Sequence, residues 1–150
     1  MRNPATTRSA DCDFCKIAVG EDTSTQIVCT GASWVAFFPL NPAVPGHTLI
    51  IPRIHVTNLW DVEPHQGAEL FNAVSRVGKA IRAALSPDGM NLITSDGEAA
   101  EQTVFHLHLH LIPRWYRDDF GPIWPHDKNQ RIGDLSNAAD QIRHFCEGSV

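Results

Sequence analysis

No apolar run in this 150-residue sequence approaches the length of about 20 residues that a membrane-spanning helix requires. The first ten residues, Met1 to Ala10, are polar and lack the apolar core of a secretory signal. We therefore expect a cytoplasmic protein that does not associate with membranes.

Positive charge is also scarce. The sequence has 12 Lys and Arg residues against 17 Asp and Glu residues, which gives a formal net charge of −5. Non-specific binding to DNA or RNA depends on cations that displace counterions from phosphates. Polymeric nucleic acid is therefore not an expected partner.

Cysteine is sparse as well, with four residues: Cys12, Cys15, Cys29 and Cys146. A chain of this size without a secretory signal is not expected to carry a disulfide framework. Cys12 and Cys15 form one Cys-x-x-Cys, a weak zinc signal because structural zinc sites usually have four nitrogen or sulfur ligands. The residues alone also allow ordinary thiols or a redox pair, although the strand-then-helix context of a redox motif is absent.

What is present is an ordinary globular composition, with 43% hydrophobic and 19% charged residues. The length fits one compact domain with a substantial core. We expect a flexible tail over residues 1–10 and a single domain over residues 11–150.

Hydrophobic spacing predicts the secondary structure. Apolar residues at spacings of three and four predict a long helix from Pro64 to Leu85 and another from about Leu135 to Cys146, and "FCKIAVGE" has room for a short helix. Strands are predicted at "TQIVCT", "SWVAFF", "HTLIIP" and "MNLITS", and at "TVFHLHLHLIP", which Pro113 should end. This pattern predicts an α+β domain on an antiparallel sheet.

The segment "FHLHLHL" places His106, His108 and His110 at alternate positions. On a strand these imidazoles would share one face while the intervening leucines face the core. His106 and His110 would be roughly 13 Å apart, too far for all three to bind one metal easily. Imidazole can act near neutral pH as nucleophile, proton donor and phosphate ligand, which favours phosphoryl or nucleotidyl chemistry. The alternatives are a solvated histidine-rich face or a metal-binding ladder.

The segment "HLHLHLI" at 106–112 resembles the signature of the histidine triad family. "DFCKIAVGE", "VAFFPLNPAVPGHTLIIPRIH" and "GEAAEQTVF" resemble other segments of that family in the same order, so the resemblance covers roughly residues 12–124. The match is to a bacterial zinc-containing branch that resembles nucleoside phosphoramidate hydrolases.

This resemblance implies a five-stranded antiparallel sheet with two main helices, pairing as a homodimer. It also implies an enzyme that cleaves at the α-phosphate of a purine nucleotide or nucleotide conjugate through a covalent nucleotidyl-histidine. By position, His108 would be the nucleophile, and His110 would contact the phosphate and help protonate the leaving group. His47 would support the nucleophile, while Gln102 and Thr103 would bind the phosphate region.

The resemblance also implies an apolar base pocket and ribose contacts. The base-pocket positions are Phe14, Ile17, Phe37 and Leu40, although short apolar runs are more often core. Ser95 stands where a second ribose contact, often Asn, is found.

Two further positions depart from the family pattern. Pro39 replaces an acidic residue that binds ribose hydroxyls, and Glu101 replaces a common glycine. With Ser95, these changes favour different handling of the sugar or a broader range of leaving nucleotides.

Bacterial relatives combine the cysteine pair with the histidine of an "IPxxH" segment and with the first triad histidine. Here the corresponding set is Cys12, Cys15, His55 and His106. The resemblance therefore implies a structural zinc ion and no organic cofactor, with His106 as a ligand rather than a direct catalyst.

The sequence thus leads to a hydrolase of nucleoside phosphoramidates or related conjugates. Within the same chemistry, the alternative is a dinucleoside polyphosphate hydrolase. A nucleotide-binding regulator with vestigial catalysis and a protein whose histidines only bind metal are alternatives of other classes.

Overall fold

The computed structural model describes residues 9–124 and 135–147. The chain divides into two compact units, Met1–Phe120 and Gly121–Val150. The predicted tail over residues 1–10 falls mostly outside the described residues, and the single domain over 11–150 stays a prediction. Within the described ranges, no helix is both long and apolar enough to cross a membrane.

Within the described residues, the first unit contains two α-helices and five strands, and the second contains one α-helix. The helices are α1 (Asp13–Val19), α2 (Pro64–Leu85) and α3 (Leu135–Glu147). The strands are β1 (Ile27–Thr30), β2 (Trp34–Phe37), β3 (Thr48–Pro52), β4 (Gly89–Ile93) and β5 (Leu109–Arg114). Single 3-10 turns lie at Leu59–Asp61 and Glu98–Ala100.

All five strands form one antiparallel sheet in the order β1-β2-β3-β5-β4. The α+β fold with a five-stranded antiparallel sheet is therefore confirmed. The predicted β1–β2 hairpin forms around Gly31, whose N–H donates to the carbonyl oxygen of Trp34. In β1 the register shifts between Ile27 and Cys29, which makes Val28 the extra residue of a bulge.

Alternation along the strands sends side chains to two apolar layers. On one face, residues of α2 and of the sheet form a cluster of Trp34, Ala36, Ile50, Leu70, Ala73, Val77, Ile81, Leu107, Leu109 and Leu111. On the other face, residues of α1 and of the sheet form a cluster of Ile17, Ala18, Val35, Phe37, Leu49 and Ile51. The leucines between the histidines thus face α2, as their alternation predicts.

The long helix begins and ends where its sequence specifies. Pro64 occupies the first turn, where its missing N–H costs nothing, and the backbone N–H of Glu63 donates to Oε1 of Gln66 at 3.2 Å. Ser86 ends the helix in a left-handed conformation. The bounds predicted from apolar spacing, Pro64 to Leu85, are confirmed.

The prediction of one strand from Thr103 to Pro113 is wrong at both ends, because β5 spans Leu109–Arg114. β3 pairs only with Leu109 to Leu111 and β4 pairs no further back than His110, so earlier residues have no ladder partner. There the N–H of Leu107 donates to the carbonyl oxygen of Val56 at 2.7 Å. Pro113 is tolerated within β5 because β3 pairing has already ended at Leu111.

Candidate active site and metal centre

His108 is the central member of the histidine row, by which we mean His106, His108 and His110. It is buried, and its Nδ1–H donates to the carbonyl oxygen of His106 at 2.7 Å. A neutral imidazole with its proton on Nδ1 carries a free lone pair on Nε2. The backbone of His108 is held in turn by Thr94, whose hydroxyl donates to the His108 carbonyl at 3.0 Å. His108 is therefore oriented with Nε2 available as a nucleophile.

The imidazoles of His47 and His110 form a hydrogen-bonded pair beside His108. The backbone N–H of Ala43 donates to Nδ1 of His47 at 3.0 Å, so the proton of neutral His47 is on Nε2. That Nε2–H donates to Nδ1 of His110 at 2.9 Å. Neutral His110 must then carry its own proton on Nε2. The pair thus presents a donor at His110 beside the nucleophilic nitrogen of His108, whose ring centroid is 4.9 Å from that of His110.

Burial keeps these imidazoles neutral. Loss of solvation lowers the pKa of His47 and of His108. Burial lowers the pKa of His110 to about 4, with further contributions from His108 and then His47. At neutral pH the arrangement is therefore a lone pair on His108 next to an N–H on His110.

An aromatic ring forms one wall beside the histidines. Phe14 of α1 meets the ring of His108 edge to face, with centroids 5.3 Å apart, and it meets Phe37 at 5.4 Å. Of the four predicted base-pocket residues, Ile17 and Phe37 are buried members of the α1-side core. Leu40 is 95% exposed. Phe14 lies directly against the histidine row, with ring contacts to both His106 and His108.

The two predicted phosphate contacts, Gln102 and Thr103, differ in their burial. Gln102 is buried, and its amide holds the backbone: Oε1 accepts from the N–H of Gly97 at 2.8 Å, and Nε2 donates to the carbonyls of Thr57 and Val104. Thr103 is exposed on the cavity beside Cys12 and His55. The phosphate roles of Gln102 and Thr103 stay predictions.

The three residues that depart from the family pattern, Ser95, Pro39 and Glu101, lie outside the helices and strands. Ser95 is half-buried just after β4, and Pro39 is half-buried after β2. Glu101 adopts the left-handed conformation at φ 64°, which explains why a glycine suits that position.

The four predicted metal ligands come together at the other end of the row. Ligand atoms of Cys12, Cys15, His55 and His106 all lie within 4.8 Å of one another. Cys15 Sγ is 3.3 Å from Nδ1 of His55 and 3.6 Å from Nδ1 of His106, and Cys12 Sγ is 3.5 Å from the latter. In a tetrahedral zinc site, bonds of about 2.3 Å to sulfur and 2.0 Å to nitrogen imply S···N separations of about 3.5 Å. The cluster therefore fits a zinc ion.

Local structure explains how this cluster forms. Cys12 is the N-cap of α1 and Cys15 lies within that helix, while His55 follows β3. The fully buried ring of His106 donates from Nε2 to the carbonyl of Pro52 at 2.9 Å, which leaves Nδ1 facing the thiols. Such a second hydrogen bond is typical of histidines that bind metal.

Sequence reasoning missed four groups that orient the histidines. They are the hydroxyl of Thr94, the N–H of Ala43 and the carbonyls of Pro52 and His106. Three of them act through the backbone, so no side-chain motif could reveal them. Thr94 carries only the weak signal of a polar residue at the end of a strand.

Comparison with known proteins identifies the family. The sequence model described as the HIT domain matches residues 21–116. The chain belongs to the HIT domain family. The resemblance predicted from the histidine row is thereby confirmed.

Two curated relatives of this HIT chain are similar over most of their length. "Protein hit" of Bacillus subtilis is 35% identical over 134 residues, covering 88% of this chain and 92% of the relative. An adenosine 5'-monophosphoramidase of Saccharomyces cerevisiae is 35% identical over 128 residues, covering 83% and 76% respectively. At the level of the family, these relatives support a nucleotide hydrolase.

Solved structures agree with the fold and with the metal centre. A HIT family protein from Bacillus anthracis has a TM-score of 0.80 at 35% identity and covers 92% of this chain and 99% of its own. A zinc-bound histidine triad protein from Mycobacterium smegmatis has a TM-score of 0.69 at 31% identity, covering 89% and 91%. The HIT fold and a Cys/His site suited to zinc are therefore present in this chain.

Proposed function

We propose that this HIT chain hydrolyses nucleoside phosphoramidates or related nucleotide conjugates at the α-phosphate, with His108 as the covalent nucleophile. The observation that carries this proposal is the pairing of a free Nε2 lone pair on His108 with an Nε2–H on His110. That pairing places a nucleophile beside a hydrogen-bond donor on the same face.

In the first step, Nε2 of His108 attacks the α-phosphorus and the bond from phosphorus to the leaving group breaks. The leaving nitrogen or oxygen accepts a hydrogen bond from Nε2–H of His110, takes its proton from solvent water and departs neutral. His47 donates to Nδ1 of His110, so that the proton of His110 lies on Nε2. The product of this step is a nucleotidyl group bound to His108.

In the second step, water attacks the same phosphorus and the bond to His108 breaks. The attacking water loses its proton to solvent, which balances the proton that the leaving group took up in the first step. The nucleoside monophosphate leaves, and His108 returns to its starting state. The pKa of His110, about 4, keeps this imidazole neutral at rest, so that its Nε2–H serves as a hydrogen-bond donor throughout.

The substrate assignment draws on the wall beside the row and on the family. Phe14 presents an apolar ring next to His108, a suitable contact for a flat purine base. The monophosphoramidase relative favours phosphoramidates over dinucleoside polyphosphates as the first substrate to test. Thr103 and Ser95 supply the proposed phosphate and ribose contacts, and Gln102, whose side-chain amide is hydrogen-bonded to the backbone, supports the loop before Thr103.

We assign the zinc ion a structural role. Bound to Cys12, Cys15, His55 and His106, zinc would tie the start of α1 to the end of β3 and to the histidine row. His106 would then position the carbonyl that holds His108, at 2.7 Å, without touching substrate. Thiolate ligands require reduced cysteines, which fits the proposed cytoplasmic location.

We also propose that the chain forms a homodimer. β4 is an edge strand of the sheet, and its Leu92 is 44% exposed. Edge strands with exposed apolar side chains can pair with another chain. Light scattering should give twice the chain mass of 16.6 kDa, and Leu92→Lys should lower it to that of a monomer.

The test is release of AMP from adenosine 5'-phosphoramidate. His108→Ala should lower kcat/KM by at least about a thousandfold, because it removes the covalent step. His65→Ala, an exposed histidine on α2, is the matched control and should behave as wild type. Circular dichroism and zinc content should be unchanged in both variants.

Other outcomes would favour the alternatives. Faster turnover of diadenosine polyphosphates than of phosphoramidates would indicate a dinucleoside polyphosphate hydrolase. Nucleotide binding without turnover in wild type would contradict the hydrolase and favour a regulator with vestigial catalysis. Full activity in His108→Ala would exclude the covalent mechanism.

A further inference from the structure

A cavity of about 410 Å³ opens on the α2 face of the sheet. It lies behind the histidine row, because the side chains of β3 and β5 that face α2 alternate with those that face the histidines. Its size falls in the range of small-molecule sites, about 300 to 1,000 Å³. The proposed nucleotide chemistry does not use it.

A bulge in β1 and two small side chains on α2 keep this cavity open. The bulge in β1 brings the neighbouring residues Val28 and Cys29 both to the lining. The opposite wall is α2, which presents Ala80 and Ala84 one turn apart. Because these side chains are small, the helix leaves a groove between itself and the edge of the sheet.

Glycine shapes the end of the groove. Gly46 adopts φ +83°, and a Cβ at that position would lie 2.3 Å from Cδ1 of Leu85. The positive φ favours glycine here, and a larger residue would also have to displace the Leu85 side chain at the end of α2. Leu85 closes the groove here, and Gly46 and Thr48 form its floor on either side of His47.

The lining has one charged residue. Arg76 lies on the groove at the surface of α2. The ion pairs within residues 9–124 and 135–147 join Lys16 to Asp13, Arg114 to Asp118 and Arg143 to Asp140, and none involves Arg76. The hydroxyl of Thr48 already donates to the carbonyl oxygen of Gly46 at 2.9 Å. The rest of the lining is predominantly apolar. An apolar groove with a single cation complements a ligand with an apolar body and one negative charge.

We propose that this groove binds a small amphipathic anion, a medium-chain carboxylate whose alkyl chain lies between β1 and α2 and whose carboxylate meets Arg76. A nucleotide does not fit this chemistry as well, because the groove offers one cation for several phosphate charges. The site is independent of the nucleotide hydrolase function, since it shares no side chain with it.

Octanoate, below its micelle-forming concentration, is the probe that tests the site. In a titration of ¹⁵N-labelled protein followed by NMR, the amides of Cys29, Gly46 and Thr48 should shift, and those of Cys15 and His108 should not. Octanol, with the same chain and no charge, should bind about tenfold more weakly, since a charged hydrogen bond is lost.

Variants separate the charge from the shape of the groove. Arg76→Gln should weaken octanoate binding about tenfold. Arg82→Gln, on the same helix but outside the lining, is the matched control and should bind as wild type. Ala84→Trp should fill the groove and abolish binding, while its circular dichroism shows that α2 is retained.

Three results would overturn the proposal. The first is equal octanoate affinity in Arg76→Gln and wild type, and the second is a set of shifts confined to the histidine row. The third is a set of groove amides that respond to protein dilution rather than to octanoate, which would indicate a second copy of the chain as the occupant.

Discussion

The two ends of the histidine row carry the same side chain, an imidazole, in different surroundings. His106 is fully buried and turns Nδ1 toward two thiols, whereas His110 is partly exposed and accepts a hydrogen bond from His47. Both occupy equivalent places in the same alternating segment. The comparison shows that alternation fixes which face an imidazole points to, while groups from elsewhere in the chain determine its role.

The difference originates in backbone groups. The carbonyl oxygen of Pro52 accepts a hydrogen bond from Nε2–H of His106, which leaves Nδ1 for a metal. The amide of Ala43 donates to Nδ1 of His47, so that Nε2–H of His47 is directed to Nδ1 of His110 instead of to a carbonyl. If the two ends are independent, each can be disabled without loss of the other.

We call the His106 end of the row the metal end and the His110 end the catalytic end. Disruption of the metal end should give the largest effect on stability. Cys15→Ser should lower bound zinc from one ion per chain to near zero and cost about 3 kcal/mol, or about 10 °C in Tm, because metal binding contributes directly to folding. Metal analysis and thermal unfolding measure both quantities. Cys146→Ser replaces an exposed thiol outside the cluster and should change neither. Unchanged zinc content in Cys15→Ser would contradict the ligand assignment.

The catalytic end should respond through rate rather than stability. His47→Phe retains an aromatic ring but removes the bond to His110, so kcat should fall about 10- to 100-fold, with KM within about twofold. Zinc content should remain at the wild-type value. His65→Phe on α2 is the control. A fall in zinc content that parallels the fall in kcat would show that the two ends are coupled.

Acid should affect the catalytic end through His110. Its folded pKa of about 4 lies below the ordinary value of 6.5, so the unfolded state binds more protons between these values. The stability contributed by neutral His110 is complete above about pH 6.5 and is lost as pH falls toward about 4. After discounting for its partial exposure, we expect a loss of about 1 to 2 kcal/mol.

Urea unfolding at a series of pH values measures this slope. The difference between wild type and His110→Gln isolates the contribution of His110 from that of the zinc ligands, which also titrate in acid. Its neighbours in the site, His47 and His108, have lowered pKa values and should add to the slope in the same direction. Parallel curves for the two proteins would contradict the buried neutral state of His110.

The smallest effect concerns the loop that leads into the row. Glu101 has φ 64°, a conformation that costs free energy for any residue with a Cβ. Glu101→Gly should therefore stabilise the fold by about 0.5 to 1 kcal/mol. Glu98→Gly, at a helical position of the same loop, should instead destabilise it. Neither change should alter zinc content, and a loss of zinc in Glu101→Gly would extend the metal end into this loop.

Much of the fold could be predicted from local patterns. The bounds of α2 follow from Pro64 and from apolar residues at spacings of three and four, and the β1–β2 hairpin follows from two β-rich runs around Gly31. The extent of β5 could not be predicted. Strand length depends on pairing partners, and β3 and β4 provide none before Leu109.

Some features of the candidate site could likewise be predicted from the sequence, and others could not. The resemblance brought Cys12, Cys15, His55 and His106 together correctly, although they come from separate segments. It did not reveal that Leu40 is exposed or that the amide of Gln102 is bonded to the backbone. Those outcomes depend on loops whose conformations are set by contacts remote in sequence.

Local patterns in the sequence specify the α+β class and the face on which the three histidines lie, because alternation and helical periodicity are local properties of the chain. Which nitrogen of each imidazole carries a proton depends instead on the tertiary structure. That choice depends on the carbonyls of His106 and Pro52, the amide of Ala43 and the ring of His47, and a hydrogen bond selects a tautomer only when the fold brings donor and acceptor together.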